Sequence, residues 1–236
     1  MVEPSAKKTI GILREQKSKW ERRCALTPKE VSALTPELRV LVQPSPSRCY
    51  NDEEFVEAGA EIQEDMSPCD VIFGVKEVPI ANLLAGKTYF FFSHTIKAQE
   101  YNMGLLDAML EKKIRMVDYE CIREAHSTGS GEAGRLVAFG RYAGIAGAFD
   151  FFRGVGEYLL SRPERLQTPF IFLGSSYMYE DYEAMKQALA SVARGVSRGL
   201  PKLFSPLVFG VTGTGRVSQG ILEVLQQLPH VMVEPD

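Results

Sequence analysis

Short apolar runs recur through the first ~130 residues, each closed by polar side chains: KTIGILRE, RVLVQPS, DVIFGVKE, TYFFFSH and IRMVDYE. Their Val, Ile and Phe content and their lengths are those of strands, and helical stretches or loops lie between them. The clearest helix start is Thr27-Pro28-Lys29-Glu30. Thr27 can cap, Pro28 suits the first helical position and Glu30 can reach back to the cap, after which Val31 and Leu34 supply an apolar stripe. Asn51 with Glu54 is a weaker copy of this signal before FVEAGAEI, and in KAQEYNMGLLDAMLEKK the positions Met103, Leu106 and Leu110 are predicted to share one helical face. Strands alternating with helices predict an α/β fold, a Rossmann-like parallel sheet with helices on both faces.

Beyond this region the pattern changes. The segment HSTGSGEAG, residues 126–134, has the composition of a flexible loop. A long helix is predicted from about Val137 to Leu160, with Ala143, Gly144, Ala146, Gly147 and Ala148 permitting close packing against a neighbour. After the loop from Pro163 to Pro169 come an apolar run, FIFLG, and a helix around EDYEAMKQALASVARGVSRG. LVFGVTGTGRVSQGILEVLQQL then reads as a strand, a glycine turn and an amphipathic helix. The expected organisation is a substrate domain over residues 1–135, a connecting segment over 136–204 and the start of a second, dinucleotide-binding Rossmann domain over 205–236.

Composition narrows the class of partner. The chain of 236 residues is 45% hydrophobic and 24% charged, with a formal charge of -3. Its 27 basic and 30 acidic side chains are interspersed, so neither a nucleic-acid stripe nor a polybasic membrane patch is present. The longest apolar stretch, LVAFGRYAGIAGAFDFF, is interrupted by Arg141 and Asp150, so no membrane span is expected. MVEPSAKKT has the features of neither an export signal nor an organelle presequence. Cys24, Cys49, Cys69 and Cys121 lack metal-like spacing and are expected to be reduced, as in the cytoplasm or the mitochondrial matrix. No metal site is expected, and a small molecule is the expected partner.

In an open parallel sheet, ligands sit at the carboxyl ends of the strands. The first, third, fourth and fifth strands end in Arg14-Glu15, Lys76-Glu77, His94 and Asp118 to Glu120, so titratable groups should converge on one rim. His94 and Lys76 each follow a buried apolar run, which would hold them in place. A partly buried lysine beside other cations has its charged form disfavoured and can carry protons near neutral pH. Arg22 and Arg23 follow Trp20 in WERRCALTP, and a guanidinium fork is the natural partner of a carboxylate. Trp20 is read as a packing residue, and His126 and His230 as incidental surface residues.

VTGTGRVSQG is close to the dinucleotide fingerprint. Gly213 and Gly215 fill its first two places, Ser218 stands at the third and Gly220 follows. Glu234 lies about 20 residues beyond Gly213, at the end of a second predicted strand, HVMVEP, where a ribose-binding acid belongs.

The order ERRCALTP, GVKEVP, FFSHTIKAQ, DYE, VAFGRYAGIAG and VTGTGRVSQG resembles the lysine-ketoglutarate reductase region of alpha-aminoadipic semialdehyde synthases and, more distantly, the lysine-forming saccharopine dehydrogenases. In architecture it also resembles alanine dehydrogenase and the transhydrogenase nucleotide subunit. The resemblance implies condensation of L-lysine with 2-oxoglutarate and reduction of the imine by NADPH or NADH to give saccharopine. It makes Lys76 and His94 the acid-base pair. Arg23, with Arg135 as a further candidate, would hold a 2-oxoglutarate carboxylate, and Glu21, Glu77 and Glu120 would tune the pair or receive the lysine ammonium. It further implies that substrate and cofactor meet in a cleft of which this chain supplies one wall. Low cofactor affinity and an inactive isolated chain are therefore expected. An alanine dehydrogenase-like enzyme and a non-catalytic chain that binds lysine or 2-oxoglutarate are the alternatives, and a homo-oligomer is left open.

Overall fold

The computed structural model describes residues 7–124 and 134–233. His126, Glu234 and nearly all of the HSTGSGEAG segment lie outside the described residues. The chain divides into two compact units, residues 1–137 and 138–236. Among the described residues no helix is long and apolar enough to cross a membrane.

The first unit is built on six parallel strands: β1 (Thr9–Ile12), β2 (Arg39–Val42), β3 (Glu61–Ile62), β4 (Val71–Phe73), β5 (Thr88–Phe91) and β6 (Arg115–Asp118), in the order β3-β2-β1-β4-β5-β6. The register is set where Ile10 faces Val40 on one side and Val71 on the other. Alternation along β2 separates two cores. Val40 and Val42 pack with Ile10, Ile12, Val31 and Phe55, beneath helices α1 (Pro28–Leu34) and α2 (Asp52–Glu57). Leu41 points the other way, into a cluster with Ile72, Tyr89, Phe91, Leu105 and Met109 beneath helix α3 (Glu100–Glu111). Helices therefore cover both faces, as the pattern predicts. The sheet order reverses direction between β1 and β4, and that switch point opens a crevice at the strands' carboxyl ends.

Capping explains the helix starts. Glu30 accepts from the Thr27 backbone N–H at 2.9 Å. Asn51 and Glu54 exchange reciprocal bonds of 2.9 and 2.8 Å. Two expectations are corrected here. The two-residue β3 has no counterpart among the five predicted strands. In α3 the buried positions are Asn102, Leu105, Ala108 and Met109, whereas Leu110 is 69% exposed, so the predicted apolar face is rotated by about one position.

The second unit contains α4 (Gly140–Ser161), α5 (Tyr182–Val196) and α6 (Arg216–Leu225), joined by one core that includes Phe149, Phe152, Phe170, Leu189 and Val224. α4 and α6 cross closely. A Cβ on Gly144 would stand 2.0 Å from the Val217 carbonyl oxygen, and one on Gly220 would stand 2.0 Å from that of Arg141. The predicted strands in LVFGV and HVMVEP are not formed over their described residues, and FIFLG carries a short 3-10 turn, Pro169–Phe172, instead of extended chain. A strand needs a ladder partner for its N–H and C=O groups, and among the described residues of this unit there is none.

Candidate active site

The carboxyl rim of the first unit's sheet brings Glu15, Lys76, Glu77, His94 and Glu120 together, each placed by the strand that precedes it. Glu15, just past β1, accepts from the backbone N–H groups of Val75 at 2.7 Å and Lys76 at 2.8 Å, and so clamps the chain leaving β4. Burial pushes the Glu15 carboxyl above the usual carboxylate range; the Glu21 charge adds to this, while the two backbone donors and Arg23 oppose it. The clamp sets the position of Lys76. Beside these residues lies a cavity of ≈ 380 Å³ at the β1/β4 switch point, lined by Glu15, Lys76, Glu77, Gln43 and Asn82 among others.

Glu77 is 8% exposed and organises the next part of the rim. Its Oε1 lies 2.9 Å from His94 Nδ1, accepts from Asn102 Nδ2 at 3.3 Å and is 3.7 Å from Lys17 Nζ. Asn102 also donates to the Ser93 carbonyl at 3.0 Å, fixing the residue that precedes His94. Burial alone would raise the Glu77 carboxyl. Bonds from its own backbone N–H, His94 and Asn102, with the Lys17 charge, outweigh this and leave it below the usual range. His94 has φ of 55°, in the left-handed region, which costs an L-residue about 1–3 kcal/mol and is typical of functional positions. With Nδ1 directed at Glu77, Nε2 is the ring nitrogen turned away from it.

The remaining candidates are paired with one another. Arg23 binds Glu21 through Nε at 2.7 Å and Nη2 at 2.6 Å, and its backbone N–H donates to the same carboxylate at 3.1 Å. The Arg23 bond, with a contribution from the Lys76 charge, holds Glu21 below the usual carboxylate range. The Lys76 charge thus acts on the same carboxylate that Arg23 binds. Arg135 donates to Glu120 Oε1 at 2.9 Å, and Lys97 Nζ is 3.8 Å from the same oxygen. Among the described residues, the buried Oε2 atoms of Glu77 and Glu120 have no hydrogen-bond partner. Buried carboxylate oxygens in that state are acceptors in want of a donor, and an ammonium supplies one.

Arg14 forms a two-pronged bridge to Glu64 at 2.8 and 2.5 Å, an anchor between loops at the rim. Arg22 Nε donates to the Ser47 carbonyl at 3.3 Å. Trp20, read as a packing residue, is 63% exposed with the Lys19 ammonium 4.8 Å from its ring centroid. Glu15 was placed on the rim by the sequence but given no role there, and Asn102 was missed. An Asn on the buried face of an amphipathic helix is the signal that could have found the second.

In the second unit the glycine turn fits the phosphates of a nicotinamide dinucleotide. Gly213 has φ of 87°, which excludes most side chains, and a Cβ at Gly213 or Gly215 would meet only open space. Gly215 precedes α6 without a side-chain cap, so the helix's first N–H groups are exposed for an anion. Ser218 turns inward, its hydroxyl donating to the Gly215 carbonyl at 2.7 Å, and Gly220 packs against α4. Both thereby support the turn from behind.

Comparison with known proteins agrees with this layout. Residues 11–146 match the alanine dehydrogenase/PNT N-terminal domain family. The chain is 44% identical over 234 residues to alpha-aminoadipic semialdehyde synthase of Arabidopsis thaliana, covering 96% of this chain and 21% of that protein. It is 43% identical over 231 residues to the mitochondrial synthase of Mus musculus, covering 97% and 24%. It is 28% identical over 224 residues to saccharopine dehydrogenase (NAD(+), L-lysine-forming) of Yarrowia lipolytica, covering 92% and 56%. The chain therefore spans under a quarter of the length of the two synthases and little more than half of the dehydrogenase. With more than half of its residues inside the family match, this chain belongs to the alanine dehydrogenase/PNT N-terminal domain family.

Proposed function

We propose that this chain is the substrate-side part of a lysine-ketoglutarate reductase, an oxidoreductase that joins L-lysine to 2-oxoglutarate and yields saccharopine with NADPH or NADH. The observation that carries the reading is the rim itself: Lys76 held by the Glu15 clamp, directly followed by Glu77 on His94. The names of the relatives, a semialdehyde synthase and a lysine-forming saccharopine dehydrogenase, support the same chemistry. We assign residues 136–204 to a connecting segment and 205–236 to the start of the nucleotide domain. The names of the mammalian relatives place those proteins in mitochondria, and the matrix or the cytoplasm is our assignment here.

The reaction needs a base to free the substrate amine and an acid to help water leave the carbinolamine. Lys76 and His94 take these roles. Glu77 fixes the imidazole through Nδ1, so that Nε2 is the atom that exchanges the proton with substrate. The unpartnered Oε2 atoms of Glu77 and Glu120 receive the substrate ammonium. Arg23 receives a 2-oxoglutarate carboxylate by exchange with Glu21, and Arg135 is a second candidate for this role. A bound nicotinamide dinucleotide supplies the hydride. The Gly213 to Gly215 turn and the N-terminus of α6 hold its phosphates, and Glu234 is the proposed ribose acid.

The test is cofactor oxidation by a full-length enzyme containing this chain. NADPH or NADH should be consumed only when L-lysine and 2-oxoglutarate are both present. Consumption with pyruvate and ammonia but without lysine would establish the alanine dehydrogenase-like alternative. Binding of lysine or 2-oxoglutarate by calorimetry without any turnover would establish a non-catalytic chain.

A further inference from the structure

The loop carrying Glu21 and Arg23 is tied to the loop after β2 by backbone contacts that also bring two thiols together. The Cys49 N–H donates to the Arg22 carbonyl at 2.7 Å, and the Arg22 side chain returns a bond to the Ser47 carbonyl at 3.3 Å. The backbone bond from Cys49 to Arg22, two residues before Cys24, makes the two thiols neighbours, and each acts on the ionisation of the other. Both are free thiols; Cys24 is partly buried and Cys49 exposed. The second loop is rigid around Arg48, which is buried and bonds the carbonyls of Gln43 at 3.0 Å and Tyr50 at 3.1 Å while its guanidinium lies 4.4 Å from the Phe55 ring centroid. We propose that Cys24 and Cys49 form a dithiol that a hydroperoxide oxidises to an intramolecular disulfide, fixing the segment that holds Glu21 and Arg23 at the rim.

The chemistry is that of an attacking and a resolving thiol. Cys49 is the accessible one. The neighbouring Cys24 thiol favours its thiolate, against the effect of burial, and its own N–H, the Arg22 charge and the Tyr50 N–H assist. Cys24 is the partner held as thiol, by its neighbour Cys49, by burial and by the Glu15 charge, although Arg48 pulls the other way. The Cys49 thiolate attacks a hydrogen peroxide oxygen, the O–O bond breaks, and hydroxide leaves as water after taking a proton. The resulting Cys49 sulfenic acid is attacked by the Cys24 sulfur, the S–O bond breaks, and a second water departs with the Cys24 proton. Two thiols have lost two electrons in total, and the peroxide has become two waters. The other cysteines lack this arrangement. Cys69 is buried against Met66, its thiol pushed up to about 11 by burial, and the Cys121 thiolate is disfavoured by desolvation and by the charges of Asp118 and Glu120.

The experiment needs no turnover, so it is independent of the proposed reaction. The purified chain is treated with a small excess of hydrogen peroxide, then unfolded, titrated for thiols and digested for mass spectrometry. The thiol count should fall from four to two. One cross-linked peptide pair joining Cys24 to Cys49 should appear, and dithiothreitol should reverse it. In Cys24→Ser the pair should be absent, and alkylation of Cys49 should require a higher pH than in the parent. Because the cross-link is read on the unmutated chain, poor folding of the variant leaves the test intact. An unchanged thiol count, a cross-link through Cys69 or Cys121, or Cys49 driven to sulfinic acid while Cys24 stays reduced would overturn the proposal.

Discussion

The Glu77 carboxylate receives His94 and Asn102 on one oxygen and leaves the other buried without a partner among the described residues, so one side chain sets both the imidazole and an acceptor for a ligand. Its depressed pKa has a definite sign in stability. A carboxylate held below its unfolded value, near 4.3, contributes stability that is present above that pH and is lost as pH falls through the folded value. Glu15, held above the usual range, works in the opposite direction. Glu77→Gln should cost about 1–3 kcal/mol at pH 7 through the altered His94 and Asn102 contacts. It should also lose less stability than the parent between about pH 5 and pH 3. Urea unfolding across that range reads both effects, and parallel curves would show that Glu77 is not held as its carboxylate. At this scale Lys76, Glu77 and His94 were legible because each ends an apolar run. Glu15 was less so: a polar residue after a strand is commonplace, and its clamp on the chain beyond β4 is a contact over 60 residues.

At the scale of elements, sequence pattern located the strands that carry their own apolar runs and the helices that carry their own caps. What it missed depends on partners. β3 is two residues, Glu61 and Ile62, and exists because β2 offers Leu41 and Val42 for pairing. LVFGV has a strand's composition but no neighbour to complete it among the described residues. The small residues of α4 show how finely an element is fitted. Gly144 has no room for a Cβ beside the Val217 carbonyl, while a Cβ on Gly147, three residues on, would meet nothing within 4 Å. Gly144→Ala should therefore destabilise the second unit by about 1–3 kcal/mol or more through overpacking. Gly147→Ala should be neutral or stabilising by up to about 1 kcal/mol through helix propensity. Thermal or denaturant unfolding of the two variants side by side gives the comparison. Equal effects would mean that α4 and α6 do not cross as described.

Over the whole molecule, the sheet switch point, the strand-end residues and the glycine turn occur in the chain order that the family resemblance implies, and each unit presents one of the two features that the proposed reductive condensation needs. The fold class was readable from alternation alone; the identity of the substrates came only through resemblance, because a rim of acids, amines and guanidinium groups suits many small anions and amines. The proposed roles predict unlike responses to substitution in the complete enzyme. Arg23→Ala should chiefly weaken 2-oxoglutarate binding, seen as a raised KM with a smaller change in kcat. His94→Gln should lower kcat, and combined with a Lys76 substitution it should lose less than the product of the two single effects if the pair acts as one unit. The most direct test of the central claim is turnover of Lys76→Met with L-lysine, 2-oxoglutarate and NADPH or NADH, in protein shown to be folded. Met keeps most of the side chain's length and removes only its titrating amine, so a fall of at least ~100-fold, the lower bound typical of a general acid-base group, is the predicted result. Turnover within about threefold of the parent would contradict it and reduce Lys76 to a structural residue at the end of β4, far short of the loss expected for a proton carrier.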